Sequence, residues 1–121
     1  MPKRVLDIGN CSPDHSAITN MIESFFDATV VQAHGLDDAM SELKQHDFDL
    51  VLVNRLLDRD GSSGMEVLRQ IRDLNSDLKV MLITNFSEHQ DSAVEAGAIR
   101  GFGKKSLNTP ETLDVLRPFL S

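Results

Sequence analysis

The order of apolar residues along the chain restricts the fold more than any other feature of the sequence. Short, nearly continuous apolar runs alternate with longer segments in which apolar residues recur every three or four positions. A short apolar run is typical of a buried strand, and the three-and-four spacing is typical of a helix with one buried face. Strands are therefore predicted at residues 5–8, 29–33, 48–53, 79–84 and 99–103.

Residues that start and stop helices stand between these runs. Ser12 and Thr109 each precede a proline, which is the arrangement of a helix cap followed by the first helical residue. Asp37 or Asp38 is predicted to cap a second helix that runs to about residue 46, and Gly97 is placed to end the fourth. Each predicted strand is thus followed by a helix.

Strand–helix units in succession predict an α/β fold, in which helices cover both faces of a parallel sheet. The run at 48–53 is nearly all apolar, as expected of a central strand. Asp7 is a charged residue inside the first strand, so either that position is partly exposed or Asp7 has a partner elsewhere. Ligands of such folds bind at the carboxyl ends of the strands. The loops after the first, third, fourth and fifth strands are therefore the candidate site.

Size and charge narrow the class of function. The 121 residues fit one domain, residues 1–121. Cys11 is the sole cysteine, so no disulfide framework is expected and the cytoplasm is the expected location. Twelve Lys and Arg against nineteen Asp and Glu give a net charge of −7, which argues against direct binding to nucleic acid. No segment approaches the roughly 18 apolar residues that span a bilayer, so we expect no membrane partner.

Several segments resemble the receiver domain of two-component response regulators, over essentially the whole chain. These are the strand at 50–54 with Leu57 and the run at 64–68, Thr84, residues 96–98, Gly101 with Phe102, and Lys105 with Ser106. The resemblance implies a flavodoxin-like (βα)5 three-layer sandwich, whose five-stranded parallel sheet has the order 2-1-3-4-5. It also implies that Thr84 and Phe102 are switch residues and that Lys105 contacts the phosphoryl group. Because no carboxylates surround Lys105 in this chain, we expect its side chain instead to reach solvent or to pair with Asp58 or Asp60.

The chain departs from the family at the residues that carry the chemistry. The phospho-acceptor aspartate of the family falls on Asn54, and an amide cannot form an acyl phosphate because its nitrogen lone pair is delocalised. The acidic pair that holds Mg²⁺ falls on Gly9 and Asn10, or on Asn10 and Cys11, and neither choice supplies a carboxylate. Mg²⁺ prefers anionic oxygen ligands, so we expect its binding to be weak or absent.

These departures predict a degenerate receiver, or pseudo-receiver, with no enzymatic activity, no catalytic residue and no cofactor. Such a domain would act as a phosphorylation-independent protein–protein interaction module. One alternative is a receiver phosphorylated on a non-standard residue, Asp58 or Asp60, on the loop after the third strand. The other is a pseudo-receiver that senses a small anionic ligand, because Lys105 and Arg55 would make the old pocket cationic. No glycine-rich phosphate-binding motif supports this second alternative.

By the same resemblance, the interaction face is formed by the fourth helix, the fifth strand and the fifth helix. The candidate exposed residues of this face, which surround Phe102, are Glu88, His89, Glu95, Arg100 and Lys104. The expected partner is a signalling protein: a histidine kinase, an output protein, another regulator or a second copy of this chain. Because 121 residues leave no room for an output domain, the effect is expected to pass through a partner or through a domain on a longer chain.

Overall fold

A computed structural model describes residues 2–121, in which strands and α-helices alternate along the chain. The elements are β1 (Lys3–Ile8), α1 (Ser12–Phe25), β2 (Ala28–Ala33), α2 (Leu36–Gln45), β3 (Leu50–Asn54), α3 (Gly64–Leu74), β4 (Val80–Ile83), α4 (Ser87–Glu95), β5 (Ile99–Phe102) and α5 (Pro110–Leu120). A 3₁₀ turn, Lys104–Ser106, connects β5 to α5. Within residues 2–121, no helix has both the length and the apolar character needed to cross a membrane.

The five strands form one parallel sheet in the order β2-β1-β3-β4-β5. This confirms the predicted flavodoxin-like α/β fold and its strand order. Residues 50–53 of β3 are completely buried, as expected of the strand in the middle of the sheet. The strand ends agree with the sequence prediction to within two residues, which is the usual uncertainty of such boundaries.

Each face of the sheet has its own apolar core. Leu50 and Leu52 of β3 pack on one face with residues of α1 and α5, and Val51 and Val53 pack on the other face with residues of α2, α3 and α4. Successive side chains of a strand point to opposite faces, so an uninterrupted apolar run serves both cores. Full burial of one such side chain contributes about 1.5–3 kcal/mol to folding. The two cores therefore fix the strand ends, and the loops that follow them, in space.

Two of the predicted helix caps are wrong by one to three residues. The cap of α1 is Cys11, and Ser12 is already the first helical residue. The cap of α2 is Gly35 rather than Asp37 or Asp38. Asp38 lies at the third helical position. Its carboxylate accepts hydrogen bonds from the backbone N–H groups of Gly35, at 2.7 Å, and of His34, at 2.8 Å. The carboxylate thus stabilises the start of the helix from inside the first turn.

Candidate functional site

A cleft of about 220 Å³ opens at the carboxyl ends of the central strands. Its lining residues are Asn54, Arg55, Leu56, Ile83, Thr84, Asn85, Phe86 and Lys104. The structure thus brings Asn54, the last residue of β3, together with Thr84, the residue that follows β4. The lining includes two cationic side chains and no carboxylate. This is the edge at which α/β sheets bind their ligands.

Asn54 is the last residue of β3, and its side chain is partly buried. The amide nitrogen of Asn54 donates hydrogen bonds to the carbonyl oxygens of Gly9, at 3.2 Å, and of Leu56, at 2.7 Å. Gly9 belongs to the loop after β1, and Leu56 to the loop after β3, so Asn54 ties the two loops together. An ionised carboxylate has no hydrogen to donate, so an aspartate at this position could make neither bond.

Gly9 follows β1 directly, with a φ angle of 82°, in the left-handed region that favours glycine. A Cβ atom at this position would lie 2.3 Å from Cδ2 and 3.1 Å from Cα of the buried Leu57. The backbone N–H of Asp58 also donates to the carbonyl of Gly9, at 2.9 Å. The β3–α3 loop therefore fills the space that a side chain at position 9 would need, and no acidic residue fits there unless this loop moves.

Asp7 and Asn10 form a buried polar cluster with His15 of α1. The carboxylate of Asp7 accepts a hydrogen bond from the Asn10 amide at 2.5 Å and lies 2.7 Å from Nδ1 of His15. Burial raises the pKa of the Asp7 carboxyl, and the bonds from His15 and Asn10 oppose that rise. His15 is thus the partner that the sequence left unnamed for Asp7. The Oδ1 atom of Asn10 is buried and has no hydrogen-bond partner within residues 2–121.

The two lysines after β5 occupy different places. Lys104 lines the cleft, and its ammonium group donates to the carboxylate of Asp14 on α1 at 2.8 Å. This bond lowers the pKa of Asp14. Lys105 is exposed and lies outside that cleft, with its backbone N–H bonded to the Asn85 side chain at 3.0 Å. Lys104, and not Lys105, therefore shares the cleft with Asn54.

Thr84 and Phe102 both have structural roles in this conformation. The hydroxyl oxygen of Thr84 accepts the backbone N–H of Phe86 at 3.2 Å, which helps to shape the loop before α4. Phe102 is buried and belongs to the core that α1 and α5 cover. Their role as a switch stays a prediction.

The two alternative acceptors lie outside the cleft that contains Asn54. Asp58 lies 3.3 Å from Nδ1 of His34, and Asp60 accepts the backbone N–H of Ser62 at 2.9 Å. Hydrogen bonds from Ser62 lower the pKa of the exposed Asp60. Phosphorylation at either residue stays a prediction.

The side chains at these strand ends do not supply suitable ligands for Mg²⁺, the ion that the receiver family implies. Position 9 has no side chain, the amide of Asn10 is bonded to Asp7, and Asn54 directs its NH₂ group at two carbonyls. Cys11 is exposed, and its thiol contacts the carboxylate of Asp14 at 3.3 Å. In the part of the chain that the structure describes, no three His, Cys, Asp or Glu side chains gather to hold a metal ion. Mg²⁺ is usually bound by one or two carboxylates within an octahedral set of oxygen ligands.

The residues predicted for the interaction face separate into two places. Those that are exposed on α4 and β5, as predicted, are Glu88, Glu95 and Arg100, whereas His89 is half-buried. Arg100 forms an exposed ion pair with Asp91 at 2.7 Å. Lys104, in the 3₁₀ turn after β5, instead bonds to Asp14 and lines the cleft. Sequence reasoning missed the Lys104–Asp14 pair, since 90 residues separate its members.

Comparison with known proteins agrees with this architecture. The sequence model of the response regulator receiver domain matches residues 13–117. The matched range begins after the loop that carries Gly9 and Asn10. No curated protein matches the chain significantly in sequence.

Several solved structures share the fold. NtrX from Brucella abortus aligns with a TM-score of 0.84 at 18% identity, over 99% of this chain and 28% of the NtrX chain. A response regulator from Thermotoga maritima aligns with a TM-score of 0.81 at 21% identity, over 98% of each chain. The response regulator TrrA from Thermotoga maritima, solved in complex with Mg²⁺ and BeF, aligns with a TM-score of 0.75 at 21% identity, over 99% of this chain and all of that one.

At these identities, the likeness to solved structures supports the fold, and the family rests on the match in sequence. The chain spans about a quarter of the NtrX chain, so it corresponds to one part of that larger protein. The match over residues 13–117, on a parallel sheet of order β2-β1-β3-β4-β5, shows that the chain belongs to the response regulator receiver domain family, the signalling module of two-component systems.

Proposed function

We propose that this receiver domain acts in signalling without phosphorylation at position 54, as a protein–protein interaction module. The observation that carries the proposal is the pair of hydrogen bonds from the Asn54 amide nitrogen to the carbonyls of Gly9 and Leu56. An amide is not a nucleophile towards a phosphoryl group, and here its nitrogen is also engaged in holding two loops. The side chain at the acceptor position therefore stabilises the site instead of reacting in it.

The surroundings of Asn54 support the same proposal. Phosphoryl transfer depends on positioning and on cations that neutralise the developing charge. Gly9 and Asn10 supply no carboxylate to hold a divalent cation, and the charge of Lys104 is already paired with Asp14. Asp58 and Asp60 would lack the same assistance, which is why a non-standard acceptor ranks below an interaction module.

A domain without a phosphorylation switch needs no covalent change to present its binding surface to partners. The proposed surface is the face of α4, β5 and α5, with Glu88, Glu95 and Arg100 exposed on it. The proposed partner is a histidine kinase, an output protein, another regulator or a second copy of the chain, and the proposed location is the cytoplasm. Binding would then be controlled by the amount of partner and by its affinity rather than by a covalent change.

A second candidate function is the sensing of a small anion in the cleft. The observation that favours it is the lining, in which Arg55 and Lys104 are cationic and no side chain is acidic, on a chain whose net charge is −7. Thr84 and Asn85 add polar groups to the same cleft. An anion would have to share Lys104 with Asp14, so this function ranks second.

Amide NMR spectra of the ¹⁵N-labelled protein test the first proposal. Mg²⁺ is added first and beryllofluoride second, since this phosphoryl mimic needs an acceptor carboxylate and a metal. We expect no saturable shift at Asn54, Thr84 or Lys104. Saturable shifts there that extend to Phe102 would show that a phosphoryl-responsive site survives, and would contradict the proposal.

Two further measurements separate the alternatives. Intact-mass spectrometry after treatment with acetyl phosphate and Mg²⁺ is expected to show no phosphate adduct, and an adduct that disappears in Asp58→Asn or Asp60→Asn would favour a non-standard acceptor. A titration with inorganic phosphate alone gives the second candidate its test. Saturable shifts confined to Arg55, Thr84 and Lys104 would favour anion sensing over the interaction module.

A further inference from the structure

Helix α4 is held to the sheet with less apolar contact than α1, α3 or α5. Its buried residues are Gln90 and Ala93, and Val94 is 44% exposed. By contrast, α1, α3 and α5 each bury several large apolar side chains. Burying the methyl group of an alanine contributes far less to folding than burying a leucine, and a helix of nine residues has little stability by itself. The position of α4 must therefore depend on other contacts.

The side chain of Gln90 provides these contacts. It is buried, and its Nε2 atom lies 3.0 Å from the carbonyl oxygen of Leu82, 3.3 Å from that of Thr84 and 3.5 Å from that of Phe102. Its Oε1 atom accepts the backbone N–H of Gly101 at 2.9 Å. One glutamine of α4 thus bonds to the backbone of both β4 and β5, including the residue that follows β4.

The bond to Gly101 also repairs an irregularity in the sheet. Met81 pairs with Ile99 and Ile83 pairs with Phe102, so β5 has one residue more than β4 between the two pairs. Such a bulge leaves a backbone group without its ladder partner. The Oε1 atom of Gln90 accepts a hydrogen bond from the N–H of Gly101 at this bulge. Gln90 therefore joins α4 to the edge strand β5 at the place where the hydrogen bonding between β4 and β5 is irregular.

The remaining links between α4 and its surroundings are weak. The Asp91–Arg100 ion pair is more than half exposed on both sides, so salt screens it and it contributes little. Phe86, at the cap position of α4, offers no side-chain hydrogen bond to the first turn. Glu95 lies in the last turn, where a negative charge is unfavourable to the helix dipole.

We propose that α4 opens from the sheet as a separate unit, and that the side chain of Gln90 is the latch that sets how often it opens. Segments that open locally are those with few buried apolar contacts. A partner that prefers either the closed or the open form would shift the equilibrium by its difference in affinity. The device needs no phosphoryl group, so it is independent of the chemistry at position 54.

Native-state hydrogen exchange, measured by NMR at neutral pH, tests the latch. In the unmodified protein, the slowest amides of α4 are expected to exchange at least tenfold faster than the slowest amides of α1. In Gln90→Met, which keeps the size of the side chain but not its polar groups, the amides of α4 and of Gly101 are expected to exchange at least another tenfold faster. A tenfold change corresponds to about 1.4 kcal/mol of opening free energy. Amides of β1 and β3 are expected to change less than twofold.

Gln70→Met, on the exposed surface of α3, is the matched control and should leave every amide within twofold. The proposal is overturned if α4 and α1 are equally protected in the unmodified protein, a result that does not require any variant to fold. It is also overturned if Gln90→Met leaves α4 protected, or if all amides of the molecule accelerate by one common factor. In the last case Gln90 would support the whole fold rather than one helix.

Discussion

Replacing Asn54 with aspartate would remove the two hydrogen bonds that tie the β1–α1 loop to the β3–α3 loop. The lost donor faces the carbonyl oxygens of Gly9 and Leu56 at 3.2 and 2.7 Å, so a carboxylate would place negative charge against two acceptors. A single hydrogen bond contributes about 1 kcal/mol net, and the buried carbonyl of Gly9 would be left without this donor. Because the side chain is only partly buried, we expect a total loss of about 2–3 kcal/mol in the free energy of unfolding.

Urea unfolding at pH 7, followed by circular dichroism, measures this loss directly. A loss of about 2–3 kcal/mol corresponds to a fall of about 1–2 M in the urea midpoint for a domain of this size. Asn54→Ala removes the same donors without adding charge, so it should lose less than Asn54→Asp. Asn20→Asp makes the same chemical change on the exposed surface of α1 and should stay within about 0.5 kcal/mol of the unmodified protein.

The same variant shows whether an aspartate at position 54 is enough to create a Mg²⁺ site. If Asn54 had replaced an aspartate in an otherwise intact metal site, Mg²⁺ would bind Asn54→Asp and raise its stability by mass action. We expect no such rise, because Gly9 and Asn10 supply no carboxylate. An Asn54→Asp variant as stable as the unmodified protein would refute the role given to the amide. Recovery in Mg²⁺ would refute the expectation that Mg²⁺ binding is weak or absent.

Three further predictions can be checked by denaturation, and the third also by a binding assay. Gly9→Ala should lower the free energy of unfolding by about 2–5 kcal/mol, because alanine is strained at a left-handed φ and its Cβ would overlap a buried side chain. Gly61→Ala, at a φ of 71° with open space around it, should lower it by only about 1–2 kcal/mol. Equal losses would contradict the packing argument. Burial raises the pKa of Asp7, so the folded state holds the proton of this carboxyl more tightly than the unfolded state does. The stability that comes from this proton is present below pH 3.8 and is lost as the pH rises through the folded-state pKa. The unmodified protein should therefore lose stability relative to Asp7→Asn over that rise, and a difference that is constant with pH would contradict this. Arg100→Glu should reduce stability by no more than about 1 kcal/mol at low salt, because the ion pair of Arg100 with Asp91 is exposed. The same variant should bind a partner protein less tightly. Unchanged binding would remove this face from the proposal.

The fold could be predicted because it depends on patterns that are local in sequence. The nearly continuous apolar segment at 48–53 predicted a central strand, and residues 50–54 form β3. The alternation of such runs with helical spacing predicted the parallel sheet, and the family resemblance added its strand order. Helix starts were predicted less well, since the cap at Cys11 makes no side-chain hydrogen bond and so gives no signal in the sequence.

The candidate site could be predicted only in part. The sequence identified Asn54 and Thr84, and the structure places both in one cleft. It left Lys105 either in that cleft or in solvent, and in the structure Lys104 lines the cleft while Lys105 is exposed. The partner of Asp7 was also hidden, since contact with His15 requires α1 to be packed against β1.

The sequence by itself determined which elements form and in what succession they follow along the chain, and it places an amide rather than a carboxylate at position 54. These properties follow from residue identity and from spacing within one element. The tertiary structure alone decided that Asn54 bridges two loops, that Leu57 excludes a side chain at Gly9, and that Gln90 bonds to two strands. Each of these depends on atoms far apart in the chain, whose distances are set only when both cores are packed. Packing, unlike periodicity, cannot be computed from neighbours in sequence, because it is a property of all the elements together.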